Sequence, residues 1–452
     1  MTSDLMARFP IGAAATVASL EDDPHPLLAR LRADEPVSWL PALDGWLVTS
    51  HALAVRVMRD AAAFTVDDPR FSTARLVGPS MLSLDGRAHT RHREPFARPF
   101  RPAQTRERFT AFVQAEVDRL VAALAPAGRA ELRGDLAGPL AVAVVAEALG
   151  LEGVDAATIR SWYGAFVDAV SDLTAGGDVP ERAREAHGLL REAVEAALSD
   201  GPERSEDRPT ARQGSGGRPP GESEPAGPER SEDRPTARQG SGGRPPGESE
   251  PDGPERSEDR ASSLLAEAAH QDEGLTVAEV VANAAVLMFG GIDTTEGMIV
   301  NVAHHLLAAP GAAAAVRAEP GLLDAAIEES LRVEPSASVV DRYATRDTDL
   351  GGAPVRAGDL VRVSIAGANR DPEVFPAPDR FDVRRGNSAD HLAFAHGPHF
   401  CFGAHLARLE ARTALHAILE RLPNLRLDPA RPAAAHGLVF RKPPHVHVRW
   451  DI

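Results

Sequence analysis

A single cysteine, Cys401, occurs among 452 residues. That excludes an internal disulfide, a Cys-x-x-Cys redox unit and a multi-thiolate zinc site. Lysine is equally scarce: Lys442 stands alone, and arginine carries the basic charge. The imbalance reads as coding bias and assigns no chemistry. With a formal net charge of −17 there is no basic stripe to track a nucleic-acid backbone. No flavin, nicotinamide or iron–sulfur motif is present. The start, Met1 to Met6, lacks a charged segment followed by an apolar one. The apolar stretch Val280–Phe289 is short and is followed by Gly290, Gly291, Asp293 and Glu296, so it does not read as a membrane span. These absences lead to the expectation of a cytoplasmic protein with no membrane segment and no nucleic-acid partner. A hydrophobic content of 43% suffices for a large core.

Residues 201–226 recur as 227–252 with only the last residue changed, and the first eight return at 253–260. The unit is rich in Pro, Gly, Ser and charge and holds no Leu, Ile, Val or aromatic residue. It cannot bury enough apolar surface to offset ordering entropy, so a disordered insertion is expected rather than a solenoid, which needs an apolar face. Closing a longer loop costs only logarithmically more. The expected organisation is one large domain formed by 1–200 and 253–452, interrupted by the insertion at 201–252.

Cys401 lies in Phe394-Ala395-His396-Gly397-Pro398-His399-Phe400-Cys401-Phe402-Gly403. The glycines let the backbone pass close to a bulky group, and Phe394 offers an aromatic wall. A helical pattern opens directly after the thiol, at Gly403-Ala404-His405-Leu406. A helix N-terminus favours thiolate through its dipole and free N–H groups. A thiolate in such a loop suits an axial ligand to haem iron.

The segment resembles the cysteine-ligand loop of cytochrome P450, Phe-Gly-x-Gly-x-His/Arg-x-Cys-x-Gly, with Ala395 where glycine is usual. The resemblance implies a mainly α fold with small β-sheets in a single large domain, haem b held non-covalently, and Cys401 as the metal ligand. Gly403 and Phe394 would then lie against the cofactor. His391, His396 and His405 read as loop residues, and their spacing from Cys401 fits no zinc framework.

Val277 to about Ala308 reads as one helix, long enough at ~1.5 Å per residue to cross the molecule. Its middle, Phe289-Gly290-Gly291-Ile292-Asp293-Thr294-Thr295-Glu296, carries two glycines costing about 1 kcal/mol each relative to alanine. A kinked core helix would account for this, as would a helix accommodating something against its backbone. The stretch resembles the P450 oxygen-binding groove. The resemblance implies that Asp293 relays protons and that the Thr294 hydroxyl assists oxygen activation, both catalytic roles.

Glu329-Ser330-Leu331-Arg332, with Pro378-Asp379-Arg380-Phe381 downstream, resembles the family's buried Glu–Arg–Arg network, assigned to Glu329, Arg332 and Arg380. Four cations match the family's positions for the haem propionates: His89 and Arg93, spaced i, i+4, together with Arg342 and His399. Arginine is a permanent forked donor to carboxylates. Leu76, Val77, Trp162, Phe166, Met288, Phe289, Gly290 and Val339 are expected to line a mostly apolar substrate pocket.

The implied activity is that of a monooxygenase hydroxylating or epoxidising a largely apolar small molecule, in secondary metabolism. Electrons would come from NAD(P)H through a separate ferredoxin and ferredoxin reductase, and a monomer is expected. Ferredoxins are acidic, so docking would use basic residues near the thiol, with Arg91, Arg98, Arg101, Arg408 and Arg412 as candidates. Two other readings stay open. One is atypical oxidation (desaturation, coupling or nitration) at the same centre. The other is a non-catalytic haem sensor or carrier-protein-binding module, against which Asp293 and Thr294 argue.

Overall fold

Alanine- and leucine-rich segments with apolar residues three and four apart form most of the chain as helices, and short β-branched runs supply small sheets. The computed structural model describes residues 2–151, 154–174, 178–199, 264–269 and 274–452. The repeated insertion at 201–252 lies outside them.

The strands are β1 (Val37–Leu40), β2 (Gly45–Val48), β3 (Phe64–Thr65), β4 (Arg129–Glu131), β5 (Val339–Ala344), β6 (Thr348–Leu350), β7 (Ala353–Val355), β8 (Leu360–Ser364), β9 (Arg426–Leu427) and β10 (His447–Arg449). A five-stranded sheet runs β1-β2-β8-β5-β3, with β2 and β8 parallel and its other pairs antiparallel. Its inner face packs a core around Trp46, which also donates Nε1–H to Asp359 Oδ2 at 2.8 Å. β4, β10 and β9 form a second sheet, and β6 pairs with β7.

The helices that position the site are α1 (His51–Arg59), α2 (Gly86–Ala97), α3 (Pro102–Leu124), α4 (Gly138–Leu149), α5 (Ala156–Thr174), α6 (Glu181–Ser199), α7 (Val277–Ala308), α8 (Leu322–Val333) and α9 (Ala404–Arg421). The sequence GPLAVAVVAEAL makes α4 apolar on nearly every side, and it is correspondingly buried; it stops at Gly150, whose φ of +66° suits glycine.

α7 spans the residues the sequence predicts. A reciprocal capping box between Thr276 and Glu279 fixes its start. It is long and apolar enough to cross a membrane, but here it is a core helix packed against α4, α8 and α9. Its two central glycines have different surroundings. A Cβ on Gly291 would lie 2.7 Å from Val145 Cγ2, so this glycine permits close approach of α4. A Cβ on Gly290 would meet nothing within 4 Å.

Glu329 and Arg332, on α8, are fully buried, and their forked pair closes at 2.8 and 2.9 Å. The third member is not the expected Arg380. Arg385 reaches Glu329 at 3.0 and 3.1 Å, whereas the Arg380 side chain is 74% exposed beside Asp382. Arg380 contributes its carbonyl, which accepts from both Arg332 and Arg385. A turn at Ala377, with a φ of +47°, places residue 385 and not 380 against the carboxylate.

Just beyond α8, Glu334 is buried between His25 at 3.0 Å and Arg441 at 2.9 Å. Burial raises its pKa, but His25, Arg441 and Arg370 lower it further, to about 2.

Two predictions follow from these ion pairs. Arg385→Ala should lose about 2–3 kcal/mol in chemical denaturation through lost charge-assisted bonds, and Arg380→Ala should stay within about 0.5 kcal/mol of the parent. Because the folded pKa of Glu334 is depressed, its stabilisation is complete above the ordinary carboxylate value and is lost as pH falls toward 2. Glu334→Gln should flatten that acid limb in a stability-versus-pH series.

Candidate active site

The loop before α9 is closed by Cys401 N–H donating to Phe394 O at 2.9 Å. Gly397 has a φ of +76°, and a Cβ there would sit 2.6 Å from the Met58 carbonyl of α1, so only glycine fits. Ala395 has a φ of +58°, the left-handed region in which L side chains are strained. Gly403 precedes α9, and the N–H groups of Gly403 and Ala404 hydrogen-bond the sulfur.

The Cys401 sulfur lies deep in the molecule but opens on a cavity of ≈ 380 Å³. The sequence pattern leads one to expect a lowered thiol pKa. In the structure burial pushes it up, outweighing the two N–H groups, Arg93 and Arg408. Phe394, His399 and Gly403 line the cavity on the thiol's side, and Gly290, Gly291, Thr294 and Thr295 line it from α7.

The four expected cations gather here. Arg93, Arg342 and His399 line the cavity. His89 is buried behind them with its ring 4.3 Å from that of His399, and its Nε2 has no hydrogen-bond partner. Burial, followed by His399 and Arg93, lowers the His89 pKa to about 4. His399 Nε2 meets Asp85 Oδ1 at 2.9 Å. Arg342 is buried and donates to Asp341 O at 2.7 Å. Arg93 donates to Phe400 O and lies 5.2 Å over the Phe402 ring.

On α7, Thr294 donates its hydroxyl to Gly290 O. Asp293, one residue earlier, is buried away from the cavity.

The expected pocket is corrected in part. Phe289, Gly290 and Val339 line the cavity. Trp162, Phe166 and Met288 are instead buried in the main core, and Leu76 and Val77 pack against it. Residues 162 and 166 share the inner face of α5, and Met288 is rotated off the cavity face that carries Val286, Leu287 and Phe289. Apolar patterning alone does not distinguish a helix face toward a cavity from one toward another helix. Val144, Val145, Val170, Met298 and Phe440 complete much of the apolar wall.

Residues 248–433 match the family description Cytochrome P450. The chain is 35% identical to the cytochrome P450 monooxygenase PikC of Streptomyces venezuelae, over 90% of this chain and 85% of that protein. The chain belongs to the cytochrome P450 family. It is also 33% identical to nocardicin C N-oxygenase of Nocardia uniformis subsp. tsuyamanensis, over 95% of this P450 and 96% of that one. The crystal structure of HmtN, a post-tailoring hydroxylase involved in himastatin biosynthesis, superposes with a TM-score of 0.72 at 25% identity, covering 97% of this chain and 100% of that one. The mainly α fold with small sheets is the P450 fold, and the protein is a P450 monooxygenase.

The cofactor of the P450 family is haem, and the residues present fit it. A thiol opens on the cavity, a glycine-bearing helix face with nothing close to Gly290 forms another wall, and the buried Nε2 of His89 lacks a partner. Haem brings an iron, a flat apolar ring and two carboxylates for these features.

Sequence reasoning missed several residues of this P450. Tyr163, Glu296 and the sole lysine, Lys442, surround Asp293, in ion pairs and hydrogen bonds with partners far away in the sequence. Glu410, buried on α9 with Oε2 unpartnered, also lines the cavity, and burial pushes its carboxyl well above the ordinary range. Of the docking candidates, Arg91, Arg408 and Arg412 are engaged with Glu279, Glu328 and Asp324. Arg98 and Arg101 form no ion pair among the described residues.

The strain at residue 395 is testable. Ala395→Gly should raise unfolding stability by about 1 kcal/mol, read by chemical denaturation.

Proposed function

We propose that this P450 inserts one oxygen atom of O₂ into a C–H or C=C bond of a largely apolar small molecule of secondary metabolism. The observation that carries this reading is a mostly apolar cavity holding both the Cys401 thiol and the Thr294 hydroxyl. Bound there, haem supplies the iron centre at which dioxygen is activated.

In this reading Cys401 Sγ would hold the haem iron. The N–H groups of Gly403 and Ala404 stabilise its negative charge, with Arg93 and Arg408 adding positive potential. His89, Arg93, Arg342 and His399 hold the haem carboxylates through charge-assisted hydrogen bonds. Thr294, anchored on Gly290 O, would present its oxygen to the cavity, and Asp293 would relay protons toward it. The apolar wall from Val145, Val286, Phe289 and Val339 seats the substrate and excludes bulk water. The relatives named as a hydroxylase and an N-oxygenase of natural products support a natural-product substrate.

Electrons arrive from NAD(P)H through a ferredoxin and its reductase, with Arg98 and Arg101 left for docking. Residues 1–200 and 253–452 form the catalytic domain in the cytoplasm, and 201–252 is an insertion without catalytic residues.

The test is the carbon monoxide difference spectrum of the reduced protein. A strongly red-shifted Soret band is expected, and Cys401→His should lose it. Thr294→Ala should keep the band but lower product formation on the order of a hundredfold. A wild-type protein without the band would overturn the reading.

A further inference from the structure

The charge in the cavity wall is already committed. Arg362 on β8 forks onto Asp341 on β5 at 2.6 and 2.8 Å, directly across the paired strands, so the two are neutral as a unit. Arg93, Arg342 and His399 are the cations that suit the haem carboxylates. What remains is hydrogen-bonding capacity. Three buried polar atoms of the wall have no partner among the described residues: Thr73 Oγ1, Ser336 Oγ and Glu410 Oε2. Glu410 sits on α9, the helix that opens beside the thiol, and burial favours its neutral form.

The two hydroxyls belong to other walls. Thr73 is on the short helix Ser72–Val77, which packs against α5 and α7. Ser336 lies between α8 and β5, and its Oγ would sit 2.9 Å from a Cβ placed on Gly297 of α7. Gly297 is nearly one turn beyond Thr294, so this hydroxyl lies on the α7 side of the cavity. Thr73 is 6% and Ser336 5% exposed.

A buried hydroxyl without a partner has lost its hydration and gained nothing in return, and native proteins keep few such groups. Valine at 73 or alanine at 336 would fill much the same space and leave no orphan. Two orphans in one mostly apolar wall are accounted for by a ligand that supplies their partners. A hydroxyl both donates and accepts, so it suits a keto or lactone carbonyl, an ether oxygen or another hydroxyl. A carboxylate or ammonium would meet no uncommitted opposite charge and would lose its hydration uncompensated.

We propose that Thr73 and Ser336 are specificity-determining residues that select a neutral, oxygen-bearing molecule over a charged one. The inference rests on the reading of the cavity as the substrate space of a haem-thiolate monooxygenase, and it names the substrate class. The two hydroxyls hold the oxygen functions of the substrate from separate segments, and its apolar remainder packs against Val286, Phe289 and Val339.

The test uses ferric holoenzyme and four probes: the macrolactone oxacyclotridecan-2-one, cyclododecane, dodecanoate and dodecyltrimethylammonium. Binding is read from the blue shift of the Soret band in a spectral titration. The lactone should bind the wild type more tightly than either charged probe. Thr73→Val and Ser336→Ala should each weaken lactone binding by about tenfold while leaving the Kd of cyclododecane within about twofold. Thr73→Ser should restore lactone binding. Without ligand, both variants should resist chemical denaturation as well as the parent, because no protein partner of either hydroxyl is lost. An unchanged lactone Kd, an equal loss for cyclododecane, or tighter binding of a charged probe overturns the proposal, as does a lactone that does not bind. A variant that is destabilised or fails to fold assigns its hydroxyl to the scaffold and overturns the claim for that residue. The carbon monoxide band separates the two readings. Its absence from the wild type sinks the haem-thiolate reading, whereas an intact band with no lactone response in the variants sinks only the role of Thr73 and Ser336.

Discussion

The Glu329 carboxylate, fully removed from solvent, is the constraint on which the site depends. Its two oxygens engage Arg332 and Arg385. Those guanidiniums in turn reach the carbonyls of Asn369, Pro376, Ala377, Pro378 and Arg380. The segment from Asn369 to Leu392 has little regular secondary structure to satisfy its own backbone, so these bonds stand in for a sheet ladder. The Asn369 side chain carries the constraint onward by accepting from Leu392 N–H at 2.7 Å. Two residues later the chain enters the thiol loop at Phe394. The position of Cys401 is thus referred back, through side chain and backbone, to one buried anion on α8.

Features set by local spacing were legible in the sequence. The limits of α7, the i, i+4 pairing of His89 with Arg93, and the glycines around the thiol all depend on residues within a few turns of one another. Arg385 was not legible, because which arginine meets Glu329 depends on a turn at Ala377 that no periodicity records. The same holds for Lys442, which is 149 residues from Asp293. Trp162, Phe166 and Met288 failed as pocket residues because a hydrophobic stripe faces a neighbouring helix and a substrate cavity with the same pattern. The thiol pKa departed from expectation because the helix terminus is outweighed by the desolvation of a sulfur set deep in the protein.

The charged groups of the site divide by side. The thiol, Arg93, Arg342 and the two neighbouring imidazoles of His89 and His399 lie with α2, β5 and the loop before α9, and the ion cluster of Asp293, Glu296, Lys442 and Arg133 lies behind α7. Between them the wall is mostly apolar.

The two glycines of α7 give the chain uneven freedom to change. At Gly291 any side chain collides with α4, so variation there is closed by the fold itself. At Gly290 the space is open and belongs to the cavity, so added carbon would alter the ligand space while leaving helix packing intact. Adjacent positions of identical residue type thus separate two properties that usually change together. Position 291 preserves the scaffold, and position 290 is where its descendants can diverge in what they accept.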